Sequence, residues 1–252
     1  MIESAVAVDL PADPAPYLPG IDPETFTNAP QVVELPSGDL AVLYATYTGE
    51  RFHSELFLQL LAGATNAPAP ILIGADDPAQ SRNLFFVDAM KALDDGSLVL
   101  AWNHYQSSGP DQSSRDRIMI VDPAGTPGTA HDVTGGTDRI IDSDTGAFAR
   151  LWNGGNQDQV WIQHHAADGS ALADPVMLIE VQTNGGDRVS IQDVEKLADG
   201  SFAISWIDTD NDAQVPPFSQ VSADTVLVRV VAADGTPRTD AILVGDEDGG
   251  SD

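Results

Sequence analysis

The chain has 252 residues, 42% of them hydrophobic, no cysteine and a formal net charge of −28. That apolar share is ordinary for a globular protein and excludes wholesale disorder. The missing cysteine excludes disulfides, thiolate metal sites and cysteine nucleophiles. The charge argues against nucleic acid and anionic membrane surfaces as partners, because both would be repelled.

No stretch approaches the ~18 apolar residues of a membrane span, so membrane insertion is not expected. The start, Met1-Ile2-Glu3-Ser4, lacks the basic and then apolar block of a secretory signal peptide. The acidity is lopsided, with 31 Asp against 8 Glu. Solubility or a salty medium would be served by either residue. Asp is the better turn residue and the commoner calcium ligand in loops, so the bias predicts many tight turns and makes calcium a candidate ion.

In chain order, Ala5-Val6-Ala7-Val8 matches the last strand of the repeat described next, and Pro11 to Pro30 reads as a crossing loop. A Gly turn between apolar alternating runs predicts a β-hairpin at Leu35-Pro-Ser-Gly38-Asp-Leu-Ala-Val-Leu-Tyr44. The same pattern returns at Leu93-Asp-Asp-Gly96-Ser-Leu-Val-Leu-Ala-Trp102, more weakly at Ser143-Asp-Thr-Gly146-Ala-Phe-Ala-Arg-Leu-Trp152, and at Leu197-Ala-Asp-Gly200-Ser-Phe-Ala-Ile-Ser-Trp206. Each glycine is followed six residues later by an aromatic, and successive glycines lie 58, 50 and 54 residues apart. After each hairpin comes another alternating run, a second turn and a short apolar strand. These run from Leu56 to Gly63 then Ile71–Ile73, Arg117 to Gly125 then His131–Val133, Val160 to Gly169 then Val176–Ile179, and Val226 to Gly235 then Ile242–Val244. Ser54–Leu61 has helical propensity, but its place in the repeat predicts a strand.

Four strands per repeat predict an all-β fold, a small β-propeller of about four four-stranded antiparallel blades, with a β-sandwich as the alternative. The expected layout is an N-terminal strand and Pro-rich crossing loop over 1–30, the four-repeat domain over 31–244 and a flexible acidic tail over 245–252. Tyr44, Trp102, Trp152 and Trp206 are equivalent by register, so they are expected to pack blade on blade.

Leu197–Trp206, followed by Val226-Leu-Val-Arg-Val-Val-Ala-Ala-Asp-Gly-Thr-Pro237, resembles repeats of large bacterial RTX-type secreted proteins. The resemblance spans most of residues 31 to 244 and is closest in the second and fourth copies. It implies an acidic, cysteine-free extracellular or cell-surface module, exported by a C-terminal signal and belonging to a longer multidomain chain. It brings no catalytic residues. The glycine-rich nonapeptide that binds calcium in such proteins is absent; Gly249-Gly250-Ser251-Asp252 resembles only its beginning.

The best metal candidate is Asp208-Thr-Asp210-Asn-Asp212, whose alternating oxygens resemble the opening of a calcium loop without its Gly or closing Glu. Asp142 and Asp144 are weaker candidates, as are the tail residues Asp246, Asp248 and Asp252. His104 and Tyr105, beside Trp102, are candidates for a glycan pocket. His164-His165 alternates across a strand, so the pair cannot easily grip one ion. The turns share only composition with sialidase Asp-boxes, and no arginine cluster accompanies them. No Gly-x-Ser-x-Gly, His-Glu-x-x-His or P-loop occurs. The reading is therefore a non-catalytic extracellular module that binds glycan or protein or acts as a spacer. A glycan hydrolase is the alternative, requiring two facing carboxylates.

Overall fold

The structure is a computed structural model. It describes residues 30–47, 52–61, 68–108, 111–143, 147–154, 159–180, 188–210, 214–215, 219–220, 223–232, 234 and 236–247. The N-terminal strand expected at residues 5–8 lies outside them. Four antiparallel four-stranded sheets follow one another along the chain. Sheet A holds β1 (Gln31–Glu34), β2 (Leu40–Tyr47), β3 (Ser54–Leu61) and β4 (Ile71–Gly74). Sheet B holds β5 (Arg82–Ala92), β6 (Leu98–Ser108), β7 (Asp111–Val121) and β8 (His131–Val133). Sheet C holds β9 (Arg139–Asp142), β10 (Phe148–Asn153), β11 (Gln159–His165) and β12 (Val176–Glu180). Sheet D holds β13 (Arg188–Lys196), β14 (Phe202–Asp210), β17 (Ala223–Val231) and β18 (Ile242–Glu247), with a small hairpin of β15 (Gln214–Val215) and β16 (Ser219–Gln220) between its middle strands. Ser54–Leu61 is a strand, as the repeat register requires. β18 runs to Glu247, three residues into the expected tail.

Each sheet is a meander, so the turns joining its first two and last two strands share one end. The loops joining its middle strands, and the connections to the next sheet, share the other. The turns are built alike. Gly38, Gly96, Gly125, Gly169 and Gly200 each donate to the carbonyl three residues back, at 2.8–3.0 Å. All five have φ between 77° and 88°, a left-handed conformation that glycine adopts without steric cost. This is a type I turn closed by a glycine bulge. In three of these turns the residue before the glycine is a capping aspartate: Asp95, Asp168 and Asp199 each accept the N–H two residues on, at 2.9–3.0 Å, as Asp234 does in sheet D. Part of the aspartate excess is thus turn chemistry.

Packing follows side-chain alternation. Counting from the turn glycine, the second, fourth and sixth residues face the preceding sheet, and the third and fifth face the next. Leu98, Leu100 and Trp102 of B pack with Ala41, Leu43, Leu56 and Leu58 of A. Phe148 of C packs with Val99, Ala101, Ile118 and Ile120 of B. Phe202, Ile204 and Trp206 of D pack with Ala149, Leu151, Val160 and Ile162 of C. Four sheets thus enclose three cores. The repeated aromatics are buried, with Trp102 and Trp206 each 2% exposed. Opposite these two tryptophans the first strand carries a bulge, at Asp88 in β5 and Gln192 in β13, which widens the strand where the indole sits.

Sheet C departs from the pattern at its fourth position, where Arg150 replaces Leu100 and Ile204. Its side chain is fully buried. The guanidinium donates to the carbonyls of Thr134, Gly135 and Gly136 and to Gln163 Oε1, and lies 3.9 Å over the Trp152 ring. Burial pushes Arg150 down to about 10, so it stays charged at neutral pH. Arg150 also donates to His165 Nε2. Because a guanidinium only donates, the imidazole proton is on Nδ1, which is 3.0 Å from the Gly169 carbonyl. Burial lowers His165 to about 4, so the neutral ring persists at pH 7.

The turn carboxylates make stability depend on acid. Ser201 holds Asp199 at about 2, and hydrogen bonds likewise lower Asp168 and Asp234. A carboxylate depressed in the fold contributes above its unfolded value near 4 and loses that contribution as pH falls through its folded value. Protonating other acids meanwhile relieves the repulsion of a −28 chain. The melting temperature is expected to rise from pH 7 toward pH ~4 and fall steeply toward pH ~2. Asp199→Asn should lower it at pH 7 and flatten the acid limb. A wild-type profile without that steep fall would contradict the turn assignment.

Candidate functional site

Sheet B has the longest two-strand ladder among the described residues, with β6 and β7 paired from Leu98–Val121 out to Ser108–Asp111 at the loop end. Its face toward sheet C is apolar at Val99 and Ala101 and becomes polar at Asn103 and Tyr105, opposite Asp116 and Ser114. Asn103 Nδ2 donates to Asp116 Oδ1 at 2.7 Å and to Ser114 Oγ at 2.8 Å, and Ser114 Oγ donates back to Asn103 Oδ1 at 3.0 Å. These bonds tie the strip together at the mouth of the B–C seam, with Asn103, Tyr105 and Asp116 half-buried and Ser114 exposed.

Two further carboxylates stand beside it. Ala89, Arg139 and Asp193 pair with equivalent second-strand positions, Ala101, Leu151 and Ser205. The residues before them therefore occupy one level across three successive sheets: Asp88 and Gln192 at the bulges of β5 and β13, and Asp138 immediately before β9. Those strands pack on one another: β5 on β9, and β9 on β13. Asp138 accepts the Asn153 N–H at 2.8 Å. Half-buried Asp88 is pushed up to about 7, by desolvation first and then by the charges of Asp116 and Asp138. At neutral pH the site thus holds a carboxyl on the edge of ionisation next to two other acids.

His104 and Tyr105, the sequence candidates, are neighbours on β6 and so face opposite sides of sheet B. Tyr105 lies on the strip. His104 faces sheet A, stacked on Phe85 with ring centroids 4.3 Å apart. Its Nε2 lies 2.8 Å from Asn83 Oδ1. Asn83 Nδ2 donates to Asp76 Oδ1, which in turn lies 2.8 Å from His53 Nδ1. Burial first, and then Arg117 and Arg115, lower His104 to about 4. It therefore stays neutral and ties sheet A to sheet B.

Of the proposed metal loop, Asp208 and Asp210 are not in a turn. They lie on β14, whose pairing with β17 continues through Asp208↔Thr225 to Asp210↔Ala223. Asp212 falls outside the described residues. Among the described residues no cluster of three or more His, Cys, Asp or Glu side chains is arranged to hold a metal ion, and no helix is long and apolar enough to cross a membrane. His164 and His165 occupy opposite faces of β11, as alternation requires: Ser143 Oγ lies 2.8 Å from His164 Nδ1, and His165 stacks on Phe148. At the turn end of the B–C seam, Asp122, Pro127, His131 and Asp168 line a shallow cleft of about 390 Å³.

Sequence reasoning missed the row of Asp88, Asp138 and Gln192. A signal was present: each stands eight residues before its turn glycine, Gly96, Gly146 and Gly200. Alignment on the aromatics after the glycine favours the core face instead.

An acid raised in the fold is protonated there while the unfolded chain is not. Its stabilising contribution is complete below the unfolded value near 4 and disappears as pH rises through about 7. Asp88→Asn is expected to raise the melting temperature above pH 7 and to remove part of the decline between pH ~4 and ~7. An unchanged profile would show that Asp88 ionises freely.

A scan against protein-family models and a search of curated proteins return no match for this chain.

Proposed function

We propose that the four sheets are blades of a β-propeller. In this reading the propeller is a non-catalytic binding module of a secreted or surface-attached bacterial protein, part of a longer chain, and glycan is its ligand. The observation that supports a glycan is the strip at the B–C seam. Asn103, Ser114 and Asp116 offer donors and acceptors held by one another, Tyr105 offers a ring on which a sugar can stack, and Asp88 and Asp138 add acceptors for hydroxyls. Amides, carboxylates and a hydroxyl beside an aromatic ring suit a neutral polyhydroxylated ligand, and the strongly negative chain disfavours an anionic one.

A glycan array probed with the whole chain tests this directly. For the best glycan, Tyr105→Ala and Asn103→Ala should each weaken binding about tenfold or more, the equivalent of ~1.4 kcal/mol. His104→Ala, on the other face, should leave affinity unchanged in the folded protein. Failure of every glycan to bind, or equal binding by the Tyr105 and Asn103 variants, would overturn the proposal.

Calcium is part of the proposal as a structural ion, with Asp208, Asp210 and Asp212 as its candidate ligands. Binding to the folded state raises the melting temperature. Calcium should therefore raise it by several degrees, on the scale of about 2–4 °C per kcal/mol for a chain of this size, and a chelator should reverse the shift. Identical melting in both conditions would rule the ion out.

A glycan hydrolase is the second reading, favoured by Asp88 alone. A carboxyl near 7 beside other carboxyl groups is the arrangement that can separate a general acid from a base or nucleophile. Release of reducing ends by the wild type, abolished in Asp88→Asn, would replace the binding reading with this one.

A further inference from the structure

At the B–C seam the donors and acceptors of the strip are unevenly used, and one group stands apart from the rest. Asn103 has two amide hydrogens. One goes to Ser114 Oγ and the other to Asp116 Oδ1. The Ser114 hydroxyl donates to Asn103 Oδ1. The side-chain hydrogens of both residues are thus spent inside the strip, and what they turn to a ligand is lone pairs. Ionised Asp116 and Asp138 only accept. Asp138 already holds the Asn153 N–H on one oxygen and has the other to offer. Apart from the Tyr105 hydroxyl, these groups accept hydrogen bonds from a sugar and give none.

Asp88 is the exception. It is the extra residue of the bulge in β5, half-buried beside Asp116 of β7 and Asp138 ahead of β9. Its carboxyl has no hydrogen-bond partner among the described residues. The cations of the seam are engaged elsewhere. Lys91, further along β5, lies 3.0 Å from Asp142 of β9. Arg139 reaches the Gln192 carbonyl, and Arg150 of β10 is bound to the carbonyls of Thr134, Gly135 and Gly136. His104, Arg115 and Arg117 take the opposite face of sheet B, toward sheet A, where His53 pairs with Asp76. A carboxyl with two acidic neighbours, little water and no donor keeps its proton. Asp88 is accordingly pushed up to about 7.

We propose that Asp88 selects the ligand of this site by donating a hydrogen bond to an oxygen that can only accept, the acetamido carbonyl of an N-acetylated hexosamine. This rests on the glycan reading of the seam and narrows it to one class of neutral sugar. The hydroxyls of that sugar donate to Ser114, Asp116 and Asp138. A hydroxyl opposite Asp88 can donate or accept and suits either state of the carboxyl, whereas a carbonyl needs the proton. Set against the lone pairs of the strip, a carbonyl would be left unpaired, so the single donor is what admits it.

Capture therefore requires the protonated carboxyl. Affinity is complete below the folded value of about 7 and falls as pH rises through it, approaching about tenfold per pH unit. The test is calorimetric titration of the full chain with two trisaccharides of one backbone, tri-N-acetylchitotriose and cellotriose, which carry acetamido and hydroxyl groups at the same place. Wild type should bind the first about tenfold or more tighter than the second at pH ~5.5, and lose more than about tenfold of that affinity by pH ~8.5. Asp88→Asn keeps a donor and cannot ionise. Its binding of tri-N-acetylchitotriose should be flat with pH and tighter than wild type at pH ~8.5. Asp88→Ala, folded by circular dichroism, should bind weakly at both. Wild-type affinity that is flat across this range, equal affinity for cellotriose, no binding of either trisaccharide, or an Asp88→Asn variant that weakens with pH like the wild type overturns the assignment. Binding of another glycan through Tyr105 and Asn103 would survive each of these results, so the two readings fail separately.

Discussion

Both faces of every sheet in this chain are largely apolar, and that is the constraint from which the rest of the architecture follows. A sheet with one wet face can stand at the edge of a fold; a sheet with two dry faces needs a neighbour on each side. Burial is worth about 25 cal/mol per Å² of apolar surface. The stable arrangement is therefore a succession of sheets, each face covered by the next. Leu43 of sheet A, Ala101 of sheet B and Leu151 of sheet C are all fully buried by this one device.

The turns hold the register that the device needs. A strand slipped by one residue would present its polar set to the neighbouring sheet. The bulged glycine turn fixes both the reversal and the phase of the strand that follows, and the aspartate beside it is consumed in holding the turn. Two groups of aspartates thus have separate roles. Asp95, Asp168, Asp199 and Asp234 belong to the turns. Asp88, Asp116 and Asp138 gather at the opposite end of the sheets, where the loops vary and the only requirement on a side chain is local.

The repeat is readable in the sequence because its marks are short-range. Gly96 and Trp102, or Gly200 and Trp206, lie on one hairpin, and alternation alone decides which face each residue takes. Ser54–Leu61 shows the same logic, since register there outweighs helical propensity. The site is much less readable. His104 and Tyr105 adjoin in sequence and diverge in space, and the partners of Tyr105 come from the far side of a hairpin and from another sheet. Asp208 and Asp210 suggest a turn because acidic runs usually form one; here the pairing of β14 with β17 extends through them. Nor does composition show why Arg150 is buried, because three of its acceptors are backbone carbonyls of a connection, which no residue type announces.

Arg150 has a consequence for how near-identical repeats find their places. Sheets that share one interface can be stacked in the wrong order, and exchange between similar units is a characteristic misfolding route of repeat proteins. Arg150 needs the carbonyls of Thr134, Gly135 and Gly136, which lie only on the connection between sheets B and C. Set against any other sheet, the guanidinium would keep Gln163 and His165 of its own sheet but lose three carbonyl acceptors while buried, a defect of several kcal/mol. Gly135 reinforces the requirement: its backbone is left-handed, and a side chain there would be driven into the Trp152 ring. The third repeat, weakest by consensus, is therefore the one that carries an address. It makes four similar sheets distinguishable to the folding chain at the cost of a single leucine-like position.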